Sequence, residues 1–177
     1  MSNKSVLKCG MVVALVAVLI GGISNVSIAQ SKKDTLNIAR QLRTDKKYKA
    51  SIDLLGIYIQ KHPKNMDAKW LLAQTLYWDK QINPSKAMYE KAMTENPTNY
   101  YLKLDYAKML VDLGELEKAQ TLLNTYITYD ATSADALIAL AKIAYLKKDN
   151  NLAIGYIKQA LDSDPKVVGA FLFGNKK

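Results

Sequence analysis

Cysteine and histidine are almost absent from this sequence of 177 residues, which contains one of each, Cys9 and His62. A Cys/His nucleophile, a Ser-His-Asp triad and a histidine-based metal cage all need more of these side chains than the chain supplies. The sequence also lacks a glycine-rich phosphate loop and the acidic spacing of a calcium loop. We therefore predict that the protein is not an enzyme and holds no metal or cofactor.

Long apolar runs are absent apart from the N-terminus, where residues 1–29 are predicted to be a cleaved signal peptide. Lys4 and Lys8 precede a short apolar run, and Ser27-Ile28-Ala29 supplies the small residues that signal peptidase requires at −3 and −1. The run is about half of the roughly 20 residues that cross a bilayer, which disfavours a membrane anchor. The periplasm is the predicted location, with secretion or an uncleaved N-terminal anchor as the alternatives.

The chain is basic, with a formal net charge of +9. A charge of this sign favours acidic partners or anionic surfaces. Nucleic acid is not a predicted partner, because an exported protein would seldom meet it.

The organising pattern is a helical hairpin at residues 136–165, where two apolar blocks at helical spacing flank the polar turn 147–150. The pattern recurs every 34 residues. Small alanines of the first helix stand at Ala39, Ala73, Ala107 and Ala141. Small residues of the second helix stand at Ser51, Ser85, Ala119 and Ala153, each followed four residues later by Leu55, Tyr89, Leu123 or Ile157. Small residues permit a close helix crossing, and large ones fill the contact with the neighbouring hairpin.

This frame resembles the tetratricopeptide repeat (TPR), whose period is 34 residues. The resemblance covers residues 32–165 and implies an all-α fold, a right-handed α-solenoid of four TPR hairpins. The repeats are predicted at 32–65, 66–99, 100–133 and 134–167. Helices are predicted at 34–45, 49–61, 66–79, 84–95, 99–112, 116–128, 134–147 and 151–163.

Three features depart from the family pattern or mark its ends. Glycine is expected at the turn within each pair, but only Gly114 supplies it. Lysine stands at the other three turns, as Lys46, Lys80 and Lys148, and we interpret these as weaker turns. Thr132 with Asp135 resembles a capping box, and Asn83-Pro84 resembles an N-cap with proline in the first turn. The apolar C-terminal stub, 168–177, is interpreted equally as a cover for the last hairpin, a truncated fifth repeat or a contact surface.

The resemblance implies that the first helix of each repeat lines a concave binding groove. The groove positions that we predict to bind a ligand or partner are Arg40, Arg43, Trp70, Gln74, Tyr77, Trp78, Tyr101, Lys108, Lys142 and Tyr145. Trp70 and Trp78 are the only tryptophans, and rigid rings offer large contact area at a small entropic cost. Since they lie two helical turns apart, packing against a neighbouring hairpin is an equal alternative to binding.

Two functions agree with these observations. The first is a non-catalytic periplasmic scaffold or adaptor that binds a protein or peptide, acidic or aromatic, in its groove for envelope assembly. The alternative is a repeat module of exopolysaccharide export machinery that works with an outer-membrane β-barrel, because Trp78-Asp79 at the end of a first helix looks similar to such exported arrays. In either case the protein would act at or near the outer membrane. Neither the partner nor the oligomeric state follows from the residues.

Overall fold

The structure is a computed structural model that describes residues 25–166, with side chains from residue 34 onward. Within this range the chain forms eight α-helices and no strand. The helices are α1 (Asn25–Thr44), α2 (Tyr48–Lys61), α3 (Met66–Trp78), α4 (Ile82–Glu95), α5 (Tyr100–Asp112), α6 (Leu116–Ile127), α7 (Ala134–Leu146) and α8 (Asn150–Ser163). The predicted all-α helical repeat fold is confirmed.

The predicted helix ends agree with the observed ends within two residues, except at the start of α1. That helix begins at Asn25, and no glycine or proline interrupts the chain between there and the predicted start. Residues 1–24 of the predicted signal peptide and the whole stub at 168–177 lie outside the described residues. None of the helices in the described part has the length and apolar character needed to cross a bilayer.

Consecutive helices pack in pairs, and a close crossing of small residues holds each pair together. Ala39, Ala73 and Ala107 are fully buried. In the first two repeats the second helix adds a hydrogen bond at this point, because the hydroxyl of Ser51 donates to the Ala39 carbonyl at 2.9 Å and that of Ser85 donates to the Ala73 carbonyl at 2.7 Å. Small side chains thus allow the hydroxyl of one helix to reach the backbone of the other.

Larger side chains of the second helices fill the space between neighbouring pairs. Leu55, Tyr89 and Leu123 are buried as the repeat frame predicts. Tyr89 stacks on Tyr106 of the next repeat with ring centroids 4.9 Å apart. Burial raises the pKa of Tyr106 to about 12, with a further contribution from its hydrogen bond to Glu90. The buried apolar residues form three clusters along the stack, which the partly buried Met88 and Tyr156 connect.

The last helix, α8, is less completely covered than the helices before it. In α8 only Ala160 is buried, while Leu152, Ile154 and Leu161 are exposed. A terminal hairpin has no further repeat beside it within the described chain, so much of its apolar surface stays in contact with solvent.

The first helices begin with side-chain caps that recur with the repeat period. Asn65, Asn99 and Ser133 each accept a hydrogen bond from the backbone N–H three residues later. The predicted capping box at Thr132 is wrong by one residue, because Ser133 caps α7 while Thr132 bonds to Asp130. The predicted cap at Asn83 is also wrong, since α4 already begins at Ile82. Helix starts are easily misplaced when several capping residues stand side by side.

All four turns within the pairs have a residue with left-handed backbone conformation at the same position. Lys46, Lys80 and Lys148 have φ of 60°, 64° and 65°, and Gly114 has φ of 78°. Each turn shows the two hydrogen bonds of a Schellman motif, for example from Lys80 N to Tyr77 O and from Gln81 N to Leu76 O. The lysine turns therefore have the same geometry as the glycine turn, at the steric cost of a Cβ in this conformation.

We expect Lys80→Gly to stabilise the protein by about 0.5–1 kcal/mol, because it relieves the left-handed strain by more than it adds unfolded-state entropy. Urea denaturation measures the change. Lys80→Gln keeps the strain and should leave the free energy of unfolding unchanged.

The opposite change at the glycine turn, Gly114→Ala, should lower the free energy of unfolding by about 1 kcal/mol. A Cβ at this position meets no atom within 4 Å, so the loss would come from φ and not from a clash. A destabilised Lys80→Gly variant would contradict this account of the turns.

Candidate functional site

The first helices of the first three repeats, α1, α3 and α5, together line a surface that we call the first-helix groove. A cavity of about 200 Å³ lies on it. Its lining residues are Arg43, Gln74, Tyr77, Trp78, Tyr89, Asp105, Lys108, Met109 and Asp112. A second cavity, of about 260 Å³, adjoins it and is lined by Arg40, Asp67, Trp70, Leu71 and Gln74. Apart from Tyr89, which reaches in from α4, these residues belong to first helices, as the repeat frame implies.

Seven of the ten predicted groove residues line these two cavities, and the other three lie at the start of α5 or on α7. The seven are Arg40, Arg43, Trp70, Gln74, Tyr77, Trp78 and Lys108. The other three are Tyr101, Lys142 and Tyr145, which line neither cavity. No bound partner tests these assignments, so ligand contact remains a prediction for all ten.

The carboxylate of Asp105 organises the floor of the groove. Its Oδ2 accepts hydrogen bonds from the Trp70 indole Nε1 at 2.6 Å, from the Gln74 Nε2 at 2.9 Å and from the Tyr89 hydroxyl. The side-chain oxygen of Gln74 in turn accepts from the guanidinium of Arg43. This network joins the first three repeats and fixes the side chains that line the cavity.

Burial, followed by the charge of Asp105, raises the pKa of the Tyr89 hydroxyl well above its ordinary value. Tyr77 is affected in the same direction, because partial burial and the neighbouring Asp112 carboxylate both raise its pKa. Both hydroxyls therefore stay protonated to a higher pH than an ordinary tyrosine and donate to these carboxylates.

The two tryptophans have different environments. Trp70 is half-buried, packs against the main core and is held by Asp105 of the next repeat. Trp78 is 54% exposed and contacts Tyr77 edge to face, with ring centroids 5.9 Å apart. Trp70 is thus fixed by packing and a hydrogen bond although it lines the second cavity, whereas the ring of Trp78 is exposed at the groove.

The cations of the groove differ in how they are neutralised. Lys108 forms an ion pair with Asp135 at 3.3 Å, and Lys142 forms one with Asp112 at 2.6 Å, so both bridge successive repeats. Arg43 instead donates to the neutral amide of Gln74. Arg40 likewise donates to the neutral amide oxygen of Asn37. The positive charge that remains uncompensated by these contacts is therefore concentrated at the first repeat.

The exposed tyrosine Tyr101 belongs to a separate aromatic cluster at the start of α5 and the end of α6. Tyr100 and Tyr129 stack with centroids 4.5 Å apart, and Tyr101 meets both Tyr126 and Tyr129 edge to face. Tyr145, the last of the predicted residues, is 67% exposed on α7. These rings extend the aromatic surface beyond the two cavities.

The acidic side chains and the one histidine of the described chain are dispersed. No group of three His, Cys, Asp or Glu side chains in residues 25–166 is placed to hold a metal ion. His62 packs against the ring of Tyr58 with centroids 4.6 Å apart, away from the groove. The groove thus combines aromatic faces, amides and cations, which are the elements of a binding surface.

Sequence reasoning missed Asp105 and Tyr89 as members of the site. A signal for Asp105 was present, because the equivalent positions of the other repeats are Asn37, Leu71 and Ala139. A carboxylate at a position that packs between hairpins requires donors nearby. For Tyr89 the repeat frame predicted burial only, since its hydroxyl reaches the groove through the packing of α4 on α5.

The fold defines the class of α-helical repeat proteins. The tetratricopeptide repeat family model matches residues 85–143, which span α4 to α7. The chain thus contains tetratricopeptide repeats, and the resemblance seen in its 34-residue period is confirmed. Among curated proteins, no sequence matches the chain.

Several solved structures share the fold. A thermophilic TPR protein of Thermus thermophilus is 19% identical, with a TM-score of 0.66 and coverage of 76% of this chain and 75% of its own. YrrB, described as a TPR protein with an unusual peptide-binding site, is 17% identical, with a TM-score of 0.64 over 77% of this chain and 71% of its own. MamA of Desulfovibrio magneticus is 13% identical, with a TM-score of 0.67 over 76% of each.

We expect Asp105→Asn to destabilise the protein by about 1.5–3 kcal/mol, because three donors lose a charged acceptor and the new amide brings donors of its own. Urea denaturation measures the loss, and the indole N–H resonance of Trp70 should shift. The matched control is Asp112→Asn, whose carboxylate is half exposed and pairs with Lys142. That exposed pair should be worth about 1 kcal/mol or less. Equal losses in the two variants would show that Asp105 has no special structural role.

Proposed function

We propose that the protein is a non-catalytic periplasmic scaffold that holds a protein or peptide partner in the first-helix groove during envelope assembly. A TPR fold indicates an interaction scaffold, since stacked repeats present a long surface built from first helices. The observation that carries the proposal is the exposed ring of Trp78 beside Tyr77, above a floor that Asp105 holds in place. A rigid aromatic anchor on a preorganised surface is typical of binding hot spots.

Two further observations support the type of partner and the location. YrrB, which shares the fold, is described as having a peptide-binding site, and a groove of similar architecture would suit a peptide here. The periplasmic location rests on the predicted signal peptide, with Lys4 and Lys8 before the apolar run and Ser27-Ile28-Ala29 at its end. An exported scaffold of this kind would work on or near the outer membrane.

Site-specific photo-crosslinking in cells tests this function. A benzophenone amino acid in place of Trp78 should trap a discrete partner that mass spectrometry identifies as an envelope protein. The control is the same amino acid at Asn124, which is exposed on α6, a second helix outside the two cavities. Adducts that form equally from both positions, or none from Trp78, would count against a partner in the groove.

The alternative is a repeat module of exopolysaccharide export machinery that works with an outer-membrane β-barrel. The exposed ring of Trp78 favours it, because a flat exposed ring can stack on a sugar face.

An oligosaccharide at millimolar concentration should then quench the tryptophan fluorescence saturably. Trp78→Phe should abolish the response, whereas Trp70→Phe should preserve it, since the Trp70 indole is bonded to Asp105. An unchanged spectrum in the wild-type protein would exclude sugar stacking at this ring.

A further inference from the structure

A recess at the edge of the first-helix groove combines aromatic rings with unneutralised cations. It is a cavity of about 290 Å³ lined by Arg43, Thr44, Lys46, Tyr48 and Trp78, which we call the basic-aromatic pocket. Lys46 and Tyr48 come from the turn between α1 and α2 and from the start of α2, whereas Trp78 ends α3. The pocket thus lies partly outside the first helices, because only Arg43, Thr44 and Trp78 of its lining residues belong to α1 or α3.

The lining of this pocket contains two cationic side chains and no carboxylate. Arg43 donates to a neutral amide, as described above, and Lys46 forms no ion pair among the residues that the structure describes. The left-handed backbone at Lys46 places its side chain at an exposed turn. The positive charges of Arg43 and Lys46 are therefore available to pair with an anionic group of a ligand.

The surface beside the pocket adds as many acids as bases. A neighbouring cavity of about 490 Å³ shares Lys46 and Tyr48 with the pocket and adds Lys47 and Lys49. Lys47 pairs with the carboxylate of Asp45 at 4.0 Å between two exposed side chains, which is a weak pair. Asp53 and Asp79 also line this second cavity, so the two added lysines are balanced by two acids and the net positive charge comes from Arg43 and Lys46 of the pocket itself.

The groove cations on the first helices of the third and fourth repeats are neutralised, unlike Arg43 on the first helix of the first repeat. Lys108, Lys142 and Lys147 each form an ion pair with an acid of a neighbouring repeat. An anion that approaches the groove would therefore meet more unneutralised positive charge at the first repeat than at the third and fourth. This contrast locates the favoured contact for an acidic partner at the basic-aromatic pocket.

We propose that the basic-aromatic pocket binds an acidic segment of a peptide, in which a carboxylate side chain lies next to an aromatic or large apolar one. The carboxylate pairs with Arg43 and Lys46, and the neighbouring side chain packs on the rings of Trp78 and Tyr48. This rests on the proposed function and names the chemistry of its partner. A recess of this volume between two helix ends suits one or two side chains, whereas a membrane surface would require a broad flat face.

Titration with a short peptide of alternating Asp and Phe, observed by the two tryptophan indole N–H resonances, tests the proposal. The Trp78 signal should shift saturably and more than that of Trp70, and binding should weaken as ionic strength rises. An Asn-for-Asp analogue should bind at least about fivefold more weakly, the factor that one lost ion pair of about 1 kcal/mol produces.

Lys46→Gln should weaken binding of the Asp peptide by about fivefold. Its matched control is Lys148→Gln, which changes an exposed lysine with the same left-handed backbone, φ 65° against 60°, in the last repeat. That variant should bind within about twofold of wild type. Because both substitutions keep the turn geometry, a difference between them reports charge and not folding.

Three results would overturn the proposal. The first is equal affinity for the Asp and Asn peptides. The second is an equal loss of affinity for the Asp peptide in Lys46→Gln and Lys148→Gln. The third is binding to vesicles with about 30% anionic lipid, in the range of acidic leaflets, without binding to the Asp peptide. A partner trapped from position 78 in cells together with any of these results would leave the scaffold function standing and refute the acidic specificity alone.

Discussion

The close crossing of the two helices in each pair is the constraint on which the rest of the structure depends. Ala39 meets Ser51 and Ala73 meets Ser85 at distances that allow a hydroxyl to bond a backbone carbonyl. Larger side chains at these positions would separate the helices and open the hairpin. Because the crossing recurs every 34 residues, each hairpin presents its large side chains to the next in the same register. The groove is the surface that this register leaves on the first helices.

Polar interactions between repeats then determine what the groove offers. Asp105 draws Trp70, Gln74 and Tyr89 toward one oxygen, so these side chains are ordered before any partner arrives. Trp78 has no such restraint and stays exposed beside Tyr77. At the two cavities a partner would thus meet a rigid floor beside the exposed ring of Trp78, which lowers the entropic cost of binding.

Charge is distributed unevenly along the same surface. Ion pairs between successive repeats neutralise Lys108 and Lys142, and these pairs also connect the third and fourth hairpins. At the first repeat, Arg43 contacts a neutral amide and Lys46 stands on an exposed turn. The net charge of +9 is therefore less informative than the location of the cations that no acid neutralises. Cations that bridge repeats contribute to the stack, and the others are available to contact a partner.

The sequence by itself determined the helices, their pairing and the burial of Ala39, Ala73 and Ala107, because periodic small and large residues allow one packing solution. It also placed Arg43, Gln74, Tyr77, Trp78 and Lys108 on one surface through the repeat frame. Only the tertiary structure separated Trp70 from Trp78 and brought Tyr89 into the groove. The physical reason is that hydrogen bonds and ion pairs between repeats join residues far apart in the chain, such as Trp70 with Asp105 and Lys142 with Asp112, and a pattern within one helix does not specify them.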